Sequence, residues 1–188
     1  MHGATKSGGI VAHDRMARGS LPVQKMRAEL DCLAREGIVM AGNAFSSVLL
    51  VKGEPGPAEL AGNPLLSGAD GKALRAALLK LGYAPEDWAA VDGYASPQLF
   101  RQAVAVLDPS TMIVCDEKAA ALVRDAYADE LCELKSLDDA MLVPGKVVKL
   151  SGMRVLNLGG FEAALSSSAQ KQIMWARLKQ IPPLGEPY

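Results

Sequence analysis

The chain is poor in cysteine. There are three, Cys32, Cys115 and Cys132, an odd number at wide spacing and without a CxxC pair. That argues against a disulfide framework and against a ready-made zinc site, so neither metal nor cofactor is expected. No apolar run approaches the twenty or so residues of a membrane span, and the opening MHGATKSGG has no apolar signal-peptide core. A cytoplasmic protein with no membrane partner is the expectation. Excess charge is missing too. The net charge is -1 and the pI about 6.1, so the chain as a whole exerts no pull on nucleic acid or anionic lipid. Lys6, Arg15, Arg18, Lys25, Arg27 and Arg35 outnumber the nearby acids at the N-terminal end. They read either as a local basic patch or as a solvated tail and helix face.

What remains is ordinary globular material. The 188 residues suit one domain, and 49% hydrophobic with 22% charged excludes a disordered chain. Residues 1–20 are Gly-containing, polar and without periodicity, and read as a flexible arm. Residues 21–188 read as a single domain.

Within that domain, short apolar runs alternate with helical patterns. Val23, Met26, Leu30 and Leu33 share a helix face, and Gly37 can end that helix. SVLLV, residues 47–51, has the form of a buried parallel strand that runs into a Gly/Pro loop. A helix is expected over 72–81, with Gly82 as its stop, and a weak strand over 88–91. Ser96-Pro97 marks a helix start. TMIVC, residues 111–115, is the clearest second buried strand, and Asp116 can cap the helix after it. Residues 146–150 and 153–158 form two strands joined at Ser151-Gly152. A final helix is expected over 169–180, capped by Ser168 and stopped by Pro182-Pro183. This alternation implies an α/β fold with a mostly parallel sheet covered on both faces. Ligands of such sheets bind at the carboxyl ends of the strands. Loops 53–70, 92–97 and 159–162 leave those ends and are expected to converge on one crevice.

In the first loop, Gly53 and Gly56 permit a sharp turn, and their amides can donate to a carbonyl or phosphate oxygen. Glu54 places a carboxylate beside them. It can orient a water or stabilise positive charge; equally, it can cap amides within a purely structural turn.

The segment SSVLLVKGEPGPAELAGNPLLSGADGKALRAALLKLGY resembles the first motif region of the uracil-DNA glycosylase superfamily, most of all its iron–sulfur bacterial and archaeal branch. That branch has a GEAPG-like loop and then a G-x-P-F-x-G-x-x-G-x-x-L stretch. Here Gly53, Glu54, Pro55 and Gly56 are followed by Gly62, Pro64, Leu65, Gly68, Gly71 and Leu74, with one residue missing from the loop and one inserted before Gly68. LFRQAVAVLDPSTMIVCDEKAAALV and VPGKVVKLSGMRVLNLGGFEAALSSSAQKQIMWARLKQI follow later segments in order, so the likeness covers roughly residues 38–181. It implies a three-layer α/β/α sandwich with a central four-stranded parallel sheet. It also implies a base flipped from DNA into a pocket.

Of that family's working positions, only the water-handling acid is retained, as Glu54. The stacking aromatic corresponds to Leu65 and the base-reading Asn falls near Asp92, whose ionised carboxylate accepts but cannot donate. The third motif, with its His, falls on Gly160, Phe161 and Glu162, and the only histidines are His2 and His13. Phe161 and Glu162 are either a substitute stacking and polar pair or core and surface. The cluster-ligating cysteines are absent. The resemblance thus implies one of two things. The first is a DNA base-excision glycosylase of altered or reduced activity, with DNA or another nucleobase-containing ligand as partner. The second is a non-catalytic nucleobase- or nucleic-acid-binding, or assembly, protein on the same fold.

Overall fold

The computed structural model of the protein describes residues 9–185, with side chains from residue 22 onward. Helix α1 spans Gly9–Arg35, with Pro22 inside it. The expected arm therefore divides: residues 1–8 lie outside the described residues, and 9–20 belong to a helix. That helix was illegible because its first turns carry no apolar stripe. Strands β1 (Met40–Gly42) and β2 (Val48–Lys52) follow, then helices α2 (Pro57–Leu60) and α3 (Ala69–Leu81). Next come β3 (Ala89–Asp92), α4 (Pro97–Leu107), β4 (Thr111–Val114) and α5 (Glu117–Ala126). The remainder is α6 (Ala128–Cys132), α7 (Leu137–Ala140), β5 (Val147–Leu150), β6 (Met153–Asn157), α8 (Phe161–Ala164) and α9 (Ser168–Leu178).

Local chemistry accounts for most boundaries. Ser96 Oγ accepts from the amide of Leu99, with Pro97 at the first helical position of α4. Gly37 and Gly82 end α1 and α3 with φ of +104° and +102°, the left-handed backbone that glycine takes without steric cost. Ser167 rather than Ser168 caps α9.

The sheet has six strands in the order β1-β3-β2-β4-β6-β5. Its four central strands are mutually parallel, and β1 and β5 pair antiparallel at the edges. The expected four-stranded parallel sheet is corrected to a six-stranded mixed one. The antiparallel additions cap the edges of the parallel core: β5 returns through the Ser151-Gly152 turn, and the three-residue β1 was too short to register as a pattern.

Period-2 alternation sorts the strand residues onto two cores. Leu49, Val51, Val91, Met112 and Val114 face α1, α4 and α5, with Phe100 fully buried among them. Val48, Leu50, Ala90, Ile113 and Leu156 face α3, α8 and α9. Among the described residues no helix is long and apolar enough to cross a membrane.

Phe100→Ala should remove a fully buried ring and leave a cavity, at a cost of about 3–5 kcal/mol. Urea unfolding followed by circular dichroism would measure this; a loss below about 1 kcal/mol would mean that α4 is not packed as described.

Candidate functional site

The chain runs from β2 to β3 on one side, then crosses back to β4 on the other. The direction of winding therefore reverses between β2 and β4, the place where open α/β sheets hold ligands. The three expected loops line two cavities there rather than one crevice: loop 53–70 lines both, loop 159–162 the smaller and loop 92–97 the larger. Glu54 lines a cavity of about 60 Å³ with Asp116, Gly160, Phe161 and Glu162. It also lines a second, of about 210 Å³, with Pro55, Asn63, Leu65, Asp92 and Tyr94. Lys52 belongs to both.

Lys52 is the centre of the site, and sequence reasoning missed it. It extends the Val48 and Leu50 face of β2 by one more alternation, so its side chain enters the layer between the sheet and α3. Only 3% of that side chain is exposed. Its Nζ lies 2.5 Å from Asp70 Oδ2, 3.1 Å from Glu59 Oε2 and 3.2 Å from Glu162 Oε2. Burial by itself lowers a lysine's pKa, but the hydrogen bonds to Asp70 and Glu59 outweigh it and hold Lys52 above the ordinary lysine range. Burial likewise opposes ionisation of Glu59, yet its backbone hydrogen bonds, including one from Leu66, and the contact with Lys52 lower its pKa. The signal was present in VLLVK: a lysine closing an otherwise buried strand must find carboxylates.

The loop amides are already engaged. Asp116 accepts from the amides of Gly53 (2.8 Å) and Glu54 (3.1 Å) through Oδ2, and caps α5 by accepting from Ala119 through Oδ1 at 2.9 Å. Gly56 donates to Glu59 Oε2 at 2.9 Å. The expected ligand-binding amides thus hold the protein's own carboxylates. Glycine is required here by contact rather than by a ligand. A Cβ on Gly53 would lie 2.6 Å from Asp116 Oδ1, one on Gly93 would lie 2.6 Å from Gly53 Cα, and one on Gly56 would collide with Glu162.

Other expectations divide. Glu54 is exposed, and its carboxylate has no hydrogen-bond or ion-pair partner among the described residues. It does not cap the turn; Asp116 and Glu59 do that. Leu65 and Asp92 are brought together in the 210 Å³ cavity. Phe161 is core at 4% exposure, and Glu162 serves as a ligand of Lys52. Gly160 has φ +123°, and its amide and that of Phe161 donate to Cys115 O. A side chain there would be strained, so an imidazole cannot be restored at this position by substitution alone. Leu66 also takes a left-handed backbone, φ +56°, with its side chain fully buried. Glu59 holds its amide and Arg75 its carbonyl, both at 2.8 Å, which offsets the roughly 1–2 kcal/mol that such a conformation costs. Among the described residues no group of three or more His, Cys, Asp or Glu is placed to hold a metal.

Asp92 is buried, which raises its pKa despite the hydrogen bond that its Oδ1 accepts from the Val39 amide at 3.1 Å. Tyr94 is 55% exposed, with the Lys118 ammonium 4.0 Å from its ring centre.

Two stability predictions follow from opposite signs. Lys52→Met leaves buried carboxylates without their cation and should cost about 3–5 kcal/mol at pH 7. The carboxylates then hold protons more tightly folded than unfolded, so this variant should gain stability as pH falls from 7 towards 5. The wild type should instead lose stability on acidification, as protonation reaches the lowered Glu59. Asp92→Asn should stabilise at pH 7, because a raised carboxyl pKa means that ionisation disfavours the folded state. That gain should vanish below the ordinary aspartate range. Melting temperatures from pH 4 to 8 check both, and parallel profiles for wild type and Lys52→Met would contradict the ion cluster. The chain matches no protein-family model and no curated protein, so its function is argued from this geometry.

Proposed function

We propose that the crevice at the ends of β2 and β3 binds a nucleobase, on a fold of the uracil-DNA glycosylase kind, and that its ligand is a free base or nucleoside rather than a DNA strand. The observation that carries this reading is the 210 Å³ cavity, where Glu54, Pro55, Leu65 and Asp92 meet Tyr94 and Asn63. Tyr94 supplies the ring that is missing at Leu65. Asn63 donates to Ala58 O at 3.1 Å, so its side-chain carbonyl is available as an acceptor.

The charge of the walls argues against a DNA strand. Glu54, Glu59, Asp70, Asp92, Asp116 and Glu162 line the two cavities, and the single cation among the lining residues is Lys52, buried and neutralised. Proteins that grip DNA need Lys or Arg on phosphates, and the one cation among these lining residues is already paired with carboxylates. The same walls are rich in acceptors. Lys52 has its three protons directed to Asp70, Glu59 and Glu162 and none to spare. A ring that brings its own donors, an exocyclic amine above all, is the better match. Uracil, with two carbonyls, is the poorer one.

One observation favours the catalytic alternative, a DNA glycosylase of reduced activity working in the cytoplasm. The Glu54 carboxylate, unpartnered among the described residues, can orient a water or stabilise a cationic sugar.

Calorimetric titration with adenine, cytosine and uracil tests the first reading. The amino-bearing bases should bind more tightly, and Tyr94→Ala should weaken them roughly 5- to 100-fold through lost stacking. Equal or tighter binding of uracil, or no effect at Tyr94, would sink it. Single-turnover assays on oligonucleotides bearing uracil, hypoxanthine, xanthine or thymine mismatches test the alternative. Excision should be absent or some 10²–10³-fold below that of an ordinary glycosylase. If cleavage occurs, Glu54→Gln should abolish most of it with the melting temperature unchanged.

A further inference from the structure

A third cavity lies on the other side of Phe161. It is an open trough of about 650 Å³ between α3 and α9. Ala73, Ala76 and Ala77 form one wall at i, i+3, i+4 spacing, which keeps that wall low. Met174 and Trp175 form the other, and Phe161 and Leu165 close the floor. The two helices run side by side in the same direction. Asp70, at the start of α3, is joined through Lys52 to Glu162, which precedes α9. Tyr83, just beyond α3, donates to Ile181 O, just beyond α9, at 2.8 Å. The trough is therefore elongated, at roughly 20 Å for the 13 residues of α3.

Among the described residues its only charged lining side chains are two lysines. Lys80 is in the last turn of α3 and Lys171 in the first turn of α9, so they stand at opposite ends. Neither has an ion-pair partner among the described residues. Among the described residues no carboxylate lines the trough. A long apolar channel with an ammonium at each mouth is complementary to a ligand with an extended hydrocarbon body and an anionic head. Its volume falls within the range of small-molecule sites, about 300–1,000 Å³.

We infer that the trough between α3 and α9 is a binding site for an anionic amphiphile of the fatty-acid class, with the hydrocarbon chain along the alanine wall and the carboxylate at Lys80 or Lys171. The site is separate from the nucleobase crevice and does not depend on that reading.

Isothermal titration of the full chain with decanoate, dodecanoate and tetradecanoate, each below its micelle concentration, tests it. Saturable binding of one molecule per chain is expected, tightening about tenfold for every two methylenes. Dodecanol should bind at least tenfold more weakly than dodecanoate. Lys80→Glu or Lys171→Glu should weaken dodecanoate at least tenfold, which identifies the head-group end. Ala76→Trp, a change at an exposed position, should fill the trough and abolish binding with the melting temperature retained. Trp175 fluorescence should shift on binding in a Trp88→Phe background. No saturable binding, affinity independent of chain length or of charge, or binding indifferent to Ala76→Trp would each overturn the inference. So would sedimentation showing a dimer that Ala76→Trp dissociates, because a second copy of the chain would then be the occupant.

Discussion

A single buried ammonium organises the carboxyl end of this sheet. Lys52 is driven inward by the pairing of β2 with strands on both sides, and once there it must be surrounded by oxygen. Asp70 comes from the start of α3, Glu59 from α2 and Glu162 from α8. Two neighbouring segments and a distant third are thus fixed to one atom. Such a cluster contributes little net stability compared with well-packed apolar residues, because removing the charges from water costs several kcal/mol for each ion. Its effect is geometric: it sets where the loop after β2 turns, and hence where Glu54 stands.

The backbone around the cluster shows the same economy. Carboxylates of the chain itself satisfy the amides of Gly53, Glu54, Gly56 and Leu66. A Gly-rich loop at a strand end invites a phosphate-binding reading, and here that reading fails at each amide. Among the described residues lining the larger cavity, the side-chain carboxylate and carbonyl oxygens left unengaged belong to Glu54, Asp92 and Asn63. The proposed preference for donor-bearing groups rests on these few acceptors, and the resemblance to DNA glycosylases meets its physical objection in the absence of an unpaired cation among the lining residues.

Much of the fold was legible in the sequence, because its signals are local. SVLLV and TMIVC announce buried strands by composition, and Ser96-Pro97 and Asp116 announce helix starts by the hydrogen bonds they make. The short β1 and the early turns of α1 carry no such pattern. The convergence of Glu54, Leu65 and Asp92 was legible too, since the ends of parallel strands share one edge. What stayed hidden was the partner chemistry. Nothing local in VLLVK tells which of the chain's 21 acids will reach Lys52, and nothing in GEP tells that Asp116, sixty-odd residues later, will claim the amides.

Asp116 holds two appointments at once. Its Oδ1 begins α5 and its Oδ2 closes the turn after β2. An asparagine keeps only one carbonyl oxygen and can serve one of these clients, and a serine is too short to span both. Position 116 and the glycine facing it at 53 therefore cannot drift independently. Divergence in this lineage would have to pass through paired changes there, and relatives would be recognisable by what those two positions permit together long after the surrounding loops had ceased to look alike.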